Sequence, residues 1–352
     1  MSGESRRLVA LVCVVGALLA ACTPSDRPDG PGGARPGAPT SRQLVTRAVD
    51  SPAPPDCSSA RYEDPDRSKL PLEFRDLDYE LTSSRIPERA GSTHHLCGQR
   101  GPGVDLAWGL ERGRDDVLIA VLDSGILWRR ASEMPDLATE AYLNAGELRP
   151  PSGGVFDQDG NGRFDMADYS DDPSVTDRNG NGLLDPEDLI LDPAFSDGVD
   201  DDSNGYVDDI SGWDFLWGDN NPLDNVGYGH GTGEARDSTT AANGIGAVGT
   251  CPGCRFLPVR VADSFIAEGG RFAAGVLFGL DSGADVIQEA LGAISNPPQA
   301  QQAVTAAVRR GVPVVASMAD EASKHPNLPA AMNHTIPEHV GHPGDRRARR
   351  SQ

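Results

Sequence analysis

Positive charge is scarce in this chain: 31 Lys and Arg stand against 53 Asp and Glu, a formal net charge of −22 over 352 residues. A phosphate-binding surface needs a basic face, so this balance excludes nucleic acid as a partner. Cysteine is sparse as well, six in all, and Cys251-Pro-Gly-Cys254 has no second Cys-x-x-Cys to match it, which argues against a structural zinc site. The apolar stretch Leu8–Leu19 is too short to cross a bilayer comfortably. Serine runs out toward the C-terminus, where Ser351 alone follows Ser323. What the chain does have is 38% apolar residues, enough for a real core at this length.

The negative charge is concentrated. Between Asp157 and Asp209 lie 17 acids and two bases, Arg163 and Arg178, so this segment holds about 15 of the 22 excess charges. Such a block is either a solvated insert or a cation-binding region. Its layout favours the second. Asp157, Asp159, Asn161, Gly162, Asp165 and Asp168 repeat as Asp177, Asn179, Asn181, Gly182, Asp185 and Asp188, and again as Asp200, Asp202, Asn204, Gly205 and Asp208. Oxygen side chains recur at positions 1, 3, 5 and 9 with Gly at 6, a spacing that wraps a loop around one hard cation such as Ca2+. Asp rather than Glu at position 12 of the first two shortens the reach for bidentate ligation. A cation here has a structural role, since no histidine or open position suggests metal catalysis.

The N-terminus reads as a targeting segment, with Arg6-Arg7 before the apolar stretch. Leu19-Ala20-Ala21-Cys22 resembles a bacterial lipoprotein signal, which implies removal of residues 1–21, lipidation of Cys22 and attachment to a membrane of the cell envelope. The alternative is ordinary secretion with Cys22 incidental. Residues 22–56, rich in Pro, Gly, Ser and Arg, form a flexible tether. Residues 57–100 form an N-terminal extension. Cys57, Cys97, Cys251 and Cys254 remain for disulfides in an oxidising compartment. Cys251-Pro-Gly-Cys254 sits in a turn and reads as a structural clip, not a redox site.

From residue 101 onward strand-like and helix-like runs alternate. The strands are Val117–Leu122, Phe256–Val261, Asp285–Leu291 and Val312–Ala316; the helices are Glu234–Val248, Arg271–Ser282 and Pro298–Arg310. This predicts an α/β fold, a doubly wound and mostly parallel sheet with helices on both faces. Ligands bind such sheets at the carboxyl ends of the strands. Asp123 ends the first strand, and His230 stands at a helix start.

Each of these two residues alone has a commoner reading, a turn cap for Asp123 and a helix-start imidazole for His230. Together, Val-Leu-Asp123-Ser-Gly, Gly-His230-Gly-Thr and Leu257-Pro-Val-Arg-Val261 resemble the subtilases, the subtilisin-like serine proteases, over residues 101–336. The resemblance implies a subtilisin-like domain carrying the acidic insert 157–209. It implies peptide or protein substrates, with His230 as base and Asp123 as the group that orients it. It also implies that Gln288-Glu289-Ala290-Leu291-Gly292 matches the family's Asn-Met-Ser-Leu-Gly, so that Ala290, Leu291 and Gly292 pair with substrate backbone.

Two departures from the pattern stand out. Asp320 occupies the position of the oxyanion-binding Asn, where loss of the donor costs about 10²–10³ in rate. Asn327 and Asn333 are nearby substitutes. Ser317-Met-Ala imitates the nucleophile motif, but lies in a strand only 87 residues after His230, too early for the family's serine. The expectation is therefore a subtilase-like endopeptidase homologue whose fold is incomplete at the C-terminus, truncated before its serine and inactive as it stands. The alternative is a non-catalytic, calcium-stabilised surface lipoprotein that binds peptides or partners through the remnant cleft. Residues 337–352 read as a basic disordered tail, either genuine or the product of an altered reading frame. Oligomeric state is not legible.

Overall fold

The computed structural model describes residues 111–338 except 153, 243–247, 294 and 318–326, together with a strand pair, His95–Leu96 and Gln99–Arg100. Six strands form the main sheet: β1 Leu118–Asp123, β2 Trp213–Asp214, β3 Arg255–Arg260, β4 Val286–Glu289, β5 Val314–Ser317 and β6 Ile336–Glu338. Their order is β2-β3-β1-β4-β5-β6, and every pairing is parallel. The helices are α1 Pro186–Ile190, α2 His230–Thr239, α3 Gly269–Asp281 and α4 Pro298–Arg309.

Period-two alternation along β1 sorts the layers. Leu118, Ala120 and Leu122 join a core with Phe272 and Val276 of α3 and Ala303 and Val304 of α4. Ile119 and Val121 face the other way, toward Ala235 of α2, Trp128 and Phe256. Helices therefore cover both faces, as the alternation of elements predicts. Two glycines let α3 lie close: a Cβ at Gly275 would stand 3.0 Å from Val261 Cγ1, and one at Gly279 would stand 2.9 Å from Ile287 Cδ1.

Two expected boundaries need correction. The helix expected at Glu234–Val248 runs His230–Thr239 instead. It ends where Ser238, Thr239 and Thr240 turn their hydroxyls onto the carbonyls of Glu234, Ala235 and Arg236, competing with the backbone. The domain limit at 336 cuts through β6, where Pro337 and Glu338 pair with Ala316 and Ser317, so the first two residues assigned to the tail belong to the sheet. The turn before β3 holds a disulfide between Cys251 and Cys254, both fully buried, packed on Gly113. This is the structural clip expected there. The signal segment with Cys22, the tether and the remainder of the tail lie outside the described residues.

Candidate active site

Asp123 follows Ile119 and Val121 in the alternation of β1, so its carboxylate points to the α2 side of the sheet. The chain turns sharply behind it: Gly125 has φ +91°, and the Ser124 N–H donates to Asp123 Oδ1 at 2.7 Å. Before α2, one buried carboxylate organises the loop. Asp224 accepts from the N–H groups of Gly227, Tyr228 and Gly229 at 2.9, 3.2 and 2.5 Å. Gly229 takes φ +80°, a conformation glycine adopts without a Cβ penalty, and His230 then opens the helix.

Two bonds stitch this helix start to the segment after β1. The Gly231 N–H donates to Ser124 Oγ at 3.0 Å, and the Leu127 N–H donates to Thr232 Oγ1 at 2.8 Å. His230 Nδ1 consequently lies 3.0 and 3.1 Å from the two oxygens of Asp123, which is 1% exposed. With Nδ1 donating to the carboxylate, Nε2 is the basic nitrogen. The hydrogen bond to Asp123 raises the imidazole above its ordinary value of 6.5 against the opposing effect of burial, and Glu234 and Asp237 add to the rise. The Tyr228 ring lies parallel to the imidazole, with centroids 5.4 Å apart.

The order of the strands explains the location. From β1 the chain moves to the β3 side, and from β4 it moves to the β5 side, so the crevice opens at the carboxyl ends of β1 and β4. Of the residues expected to pair with substrate, Ala290 is half-buried and Leu291 is 1% exposed within the core. Gly292 has its N–H bonded to the Phe265 carbonyl and its carbonyl bonded by the Ala267 N–H, at 2.8 and 2.7 Å. Ala293 pairs with Leu328. The segment after β4 is thus flanked by the chain itself, and the Gly292 N–H is already engaged.

Asp320 lies outside the described residues. Of the two residues offered as substitute oxyanion donors, Asn327 donates from Nδ2 to the carbonyls of Leu291 and Ser317, and Asn333 is exposed beside Gln301. Ser317 ends β5 rather than opening a helix.

Glu289 stands where the family motif Asn-Met-Ser-Leu-Gly has its Met. It pairs in register with Leu122 and Ala316 at the centre of the sheet, is 2% exposed, and neither side-chain oxygen has a hydrogen-bond partner among the described residues. Burial, then the charges of Asp123 and Glu234, push it well above the ordinary carboxyl value; the Leu291 backbone opposes this from a position outside hydrogen-bond geometry. Replacing it by Met, which nearly conserves volume and removes the orphaned polar atoms, should stabilise the protein by about 1–3 kcal/mol. An acid whose folded value is raised costs stability as pH climbs above its unfolded value of 4.5. The advantage of Glu289→Met should therefore widen between pH 5 and pH 7 in urea unfolding. A gap that does not change with pH would mean the carboxyl is not desolvated.

The acidic insert carries one wiring scheme three times. The first Asp of each loop accepts from the Gly at position 6: Asp157 from Gly162 at 3.0 Å, Asp177 from Gly182 at 2.9 Å, Asp200 from Gly205 at 2.9 Å. The Asn at position 5 accepts from the next N–H but one, in Arg163, Leu183 and Tyr206. Those glycines have φ of +91°, +88° and +95°. Asn161 and Asn181 each turn their amide nitrogen toward a carboxylate, of Asp159 and of Asp185. Asp168 and Asp188 each accept from three N–H groups, closing loops one and two.

Not every expected ligand faces a shared point. Asp165 and Asp185 cap the short helical turns that follow them, and Asp208, at φ +55°, binds the N–H groups of Asp197 and Gly198. Two oxygen clusters with mutual distances within 4.8 Å do form: Asp157, Asp159 and Asp168, and Glu147, Asp202 and Asp209. Asn179 holds Asp185 rather than an open position. Glu147 and Asp209 were missed. Asp209 had a signal, its place in the acidic run; Glu147, 55 residues before Asp202, had none.

Comparison with known proteins places these features. The profile described as the subtilase family, Peptidase S8, matches residues 114–338. Thermitase of Thermoactinomyces vulgaris is 35% identical over 131 residues, 36% of this chain and 46% of its own length. The thermophilic serine proteinase of Bacillus sp. (strain AK1) is 33% identical over 129 residues, covering 36% of this chain and 32% of its own. The chain thus matches less than half the length of these relatives. Among solved structures, a lanthipeptide protease aligns over 66% of this chain and 50% of its own, at 16% identity and a TM-score of 0.38.

Proposed function

The chain belongs to the subtilase family, and from that premise we propose that Asp123 and His230 are the orienting and proton-transferring half of a serine endopeptidase site. The observation that carries this reading is the bond of His230 Nδ1 to both Asp123 oxygens, which leaves Nε2 as the base. A hydroxyl presented at Nε2 gives up its proton as it attacks the scissile carbonyl. Asp123 holds the resulting imidazolium and remains ionised itself. His230 then returns the proton to the leaving amine.

Among the described residues, no serine hydroxyl is bonded to His230. Ser317, the one serine with a suggestive sequence around it, closes β5 and offers its carbonyl to Asn327. The 352-residue chain is accordingly expected not to form a covalent adduct with a fluorophosphonate probe. Labelling that disappears on replacing one particular serine would overturn this.

The same reading includes calcium as a structural ion. Each cluster offers three carboxylates, the donor chemistry of a hard cation; the amide nitrogens of Asn144 and Asn204 donate to one and that of Asn161 to the other. Among the described residues, no arginine pairs with Glu147, Asp202 or Asp209. These three residues would hold one ion, and Asp157, Asp159 and Asp168 another; bound there, the cation neutralises crowded carboxylates. Export with lipidation at Cys22 completes the proposal, supported by the sequence of residues 6–22.

A further inference from the structure

The face of α2 that carries His230 carries a second acid that the half-site does not require. Glu234 lies four residues after His230, one helical turn along the same face. Its carboxylate Oε2 accepts from Gln288 Nε2 at 2.8 Å, and the carbonyl of Gln288 in turn takes the hydroxyl of Ser238 in a short hydrogen bond. Ser238 Oγ also lies 2.7 Å from the main-chain carbonyl oxygen of Glu234, so its one proton is shared between the two acceptors. Gln288 of β4 therefore grips α2 at two points and fixes the direction of the Glu234 side chain. Hydrophobic side chains are the usual filling between a helix and a parallel sheet; here a polar chain joins α2 to β4 instead.

We propose that Glu234, held by Gln288, is a positioning residue for His230: a second carboxylate that, with Asp123, favours the protonated imidazole. This rests on the reading of His230 as a base. The groups around the imidazole are Asp123 from β1, Glu234 and Asp237 from α2 itself, and Tyr228 from the preceding loop; Glu289 of β4 in turn feels the charges of Asp123 and Glu234. Arg236, on the same helix, pairs with Glu133. Burial and the charges of Asp123 and Asp237 push Glu234 up to about 7, opposed by His230 and by the Gln288 bond. Glu234 thus gains its charge across neutrality. As it does, it strengthens the imidazolium and delays the appearance of the neutral base until more alkaline pH.

The test follows the ring nitrogens of His230 by NMR in the full chain, from pH 5 to 9. Glu234→Gln should move the His230 titration to lower pH, and Glu234→Asp should retain most of the upward displacement. Gln288→Leu should shift it in the same direction as Glu234→Gln, by weakening the ionised form of Glu234. A Nδ1 proton signal that persists in each variant shows that the Asp123 bond and the fold are intact. An unmoved titration in folded Glu234→Gln overturns the proposal. Asp123→Asn separates the two readings: if that change also leaves His230 unmoved, the pairing with Asp123 is at fault, and not only the role of Glu234.

Discussion

Gly231→Ala should separate His230 from Asp123 and cost about 3 kcal/mol or more in stability. A Cβ at this position would lie 2.5 Å from the Gly125 carbonyl oxygen and 3.1 Å from Asp123 Cβ. Neither neighbour is the end of a flexible side chain. The first is main chain in a turn with φ +91°, and the second belongs to the central strand. Relief requires the start of α2 to move outward, which breaks the bond from the Gly231 N–H to Ser124 Oγ and lengthens the bond from Nδ1 to Asp123. Two readings should change together: the urea midpoint falls, and the Nδ1 proton signal of His230 is lost. A variant with an unchanged midpoint and an intact signal would show that the helix start is not held at this distance.

Calcium should have the second large effect. Protein stripped with chelator and returned to calcium at 100–1,000 times its dissociation constant should gain about 2.7–4.1 kcal/mol per occupied site. The melting transition should rise accordingly. Magnesium should give less, because it demands a tight octahedron that three carboxylates preset by the loop wiring do not offer. Asp202→Asn combined with Asp209→Asn should remove part of the gain, and Asp157→Asn with Asp159→Asn another part. The loops already hold themselves by backbone bonds to Asp157, Asp177 and Asp200. A melt that ignores calcium would mean that this wiring alone orders the insert.

Much of this was legible in the order of residues. Asp123 and His230 stand out because glycines flank them, and each glycine has a geometric reason: the turn at Gly125, the left-handed Gly229, the close approach at Gly231. The strands were visible as apolar runs because both faces of a parallel sheet are covered. The three loops were visible because their wiring, Asp at position 1 accepting from the Gly N–H at position 6, needs a fixed spacing. What escaped depends on distant partners. Glu147 meets Asp202 and Asp209 only after the chain has folded back on itself. Gln288 lay in an expected strand and Glu234 at an expected helix start, but nothing in the sequence said that their side chains meet at the seam between α2 and β4. The end of α2 was missed because hydroxyl residues continue a helical pattern in sequence while their side chains cap it in space. Pro337 and Glu338, close to a run of arginines, looked like tail until β5 supplied a partner.

The strand order bears on how the chain reaches this state. β1 is the first strand of the sheet in sequence and lies inside it, yet its partners arrive late. Leu118 pairs with Arg255, 137 residues on, and Ile119 with Val286, 167 residues on. Contacts of such sequence separation pay loop-closure entropy before they return any enthalpy, and folding slows accordingly. Until those segments emerge, a strand of Leu118-Ile-Ala-Val-Leu122 has both hydrogen-bonding edges open, and its terminal Asp123 has no imidazole to hold. The acid–base pair is therefore assembled late in folding, and its formation reports that the centre of the sheet has closed.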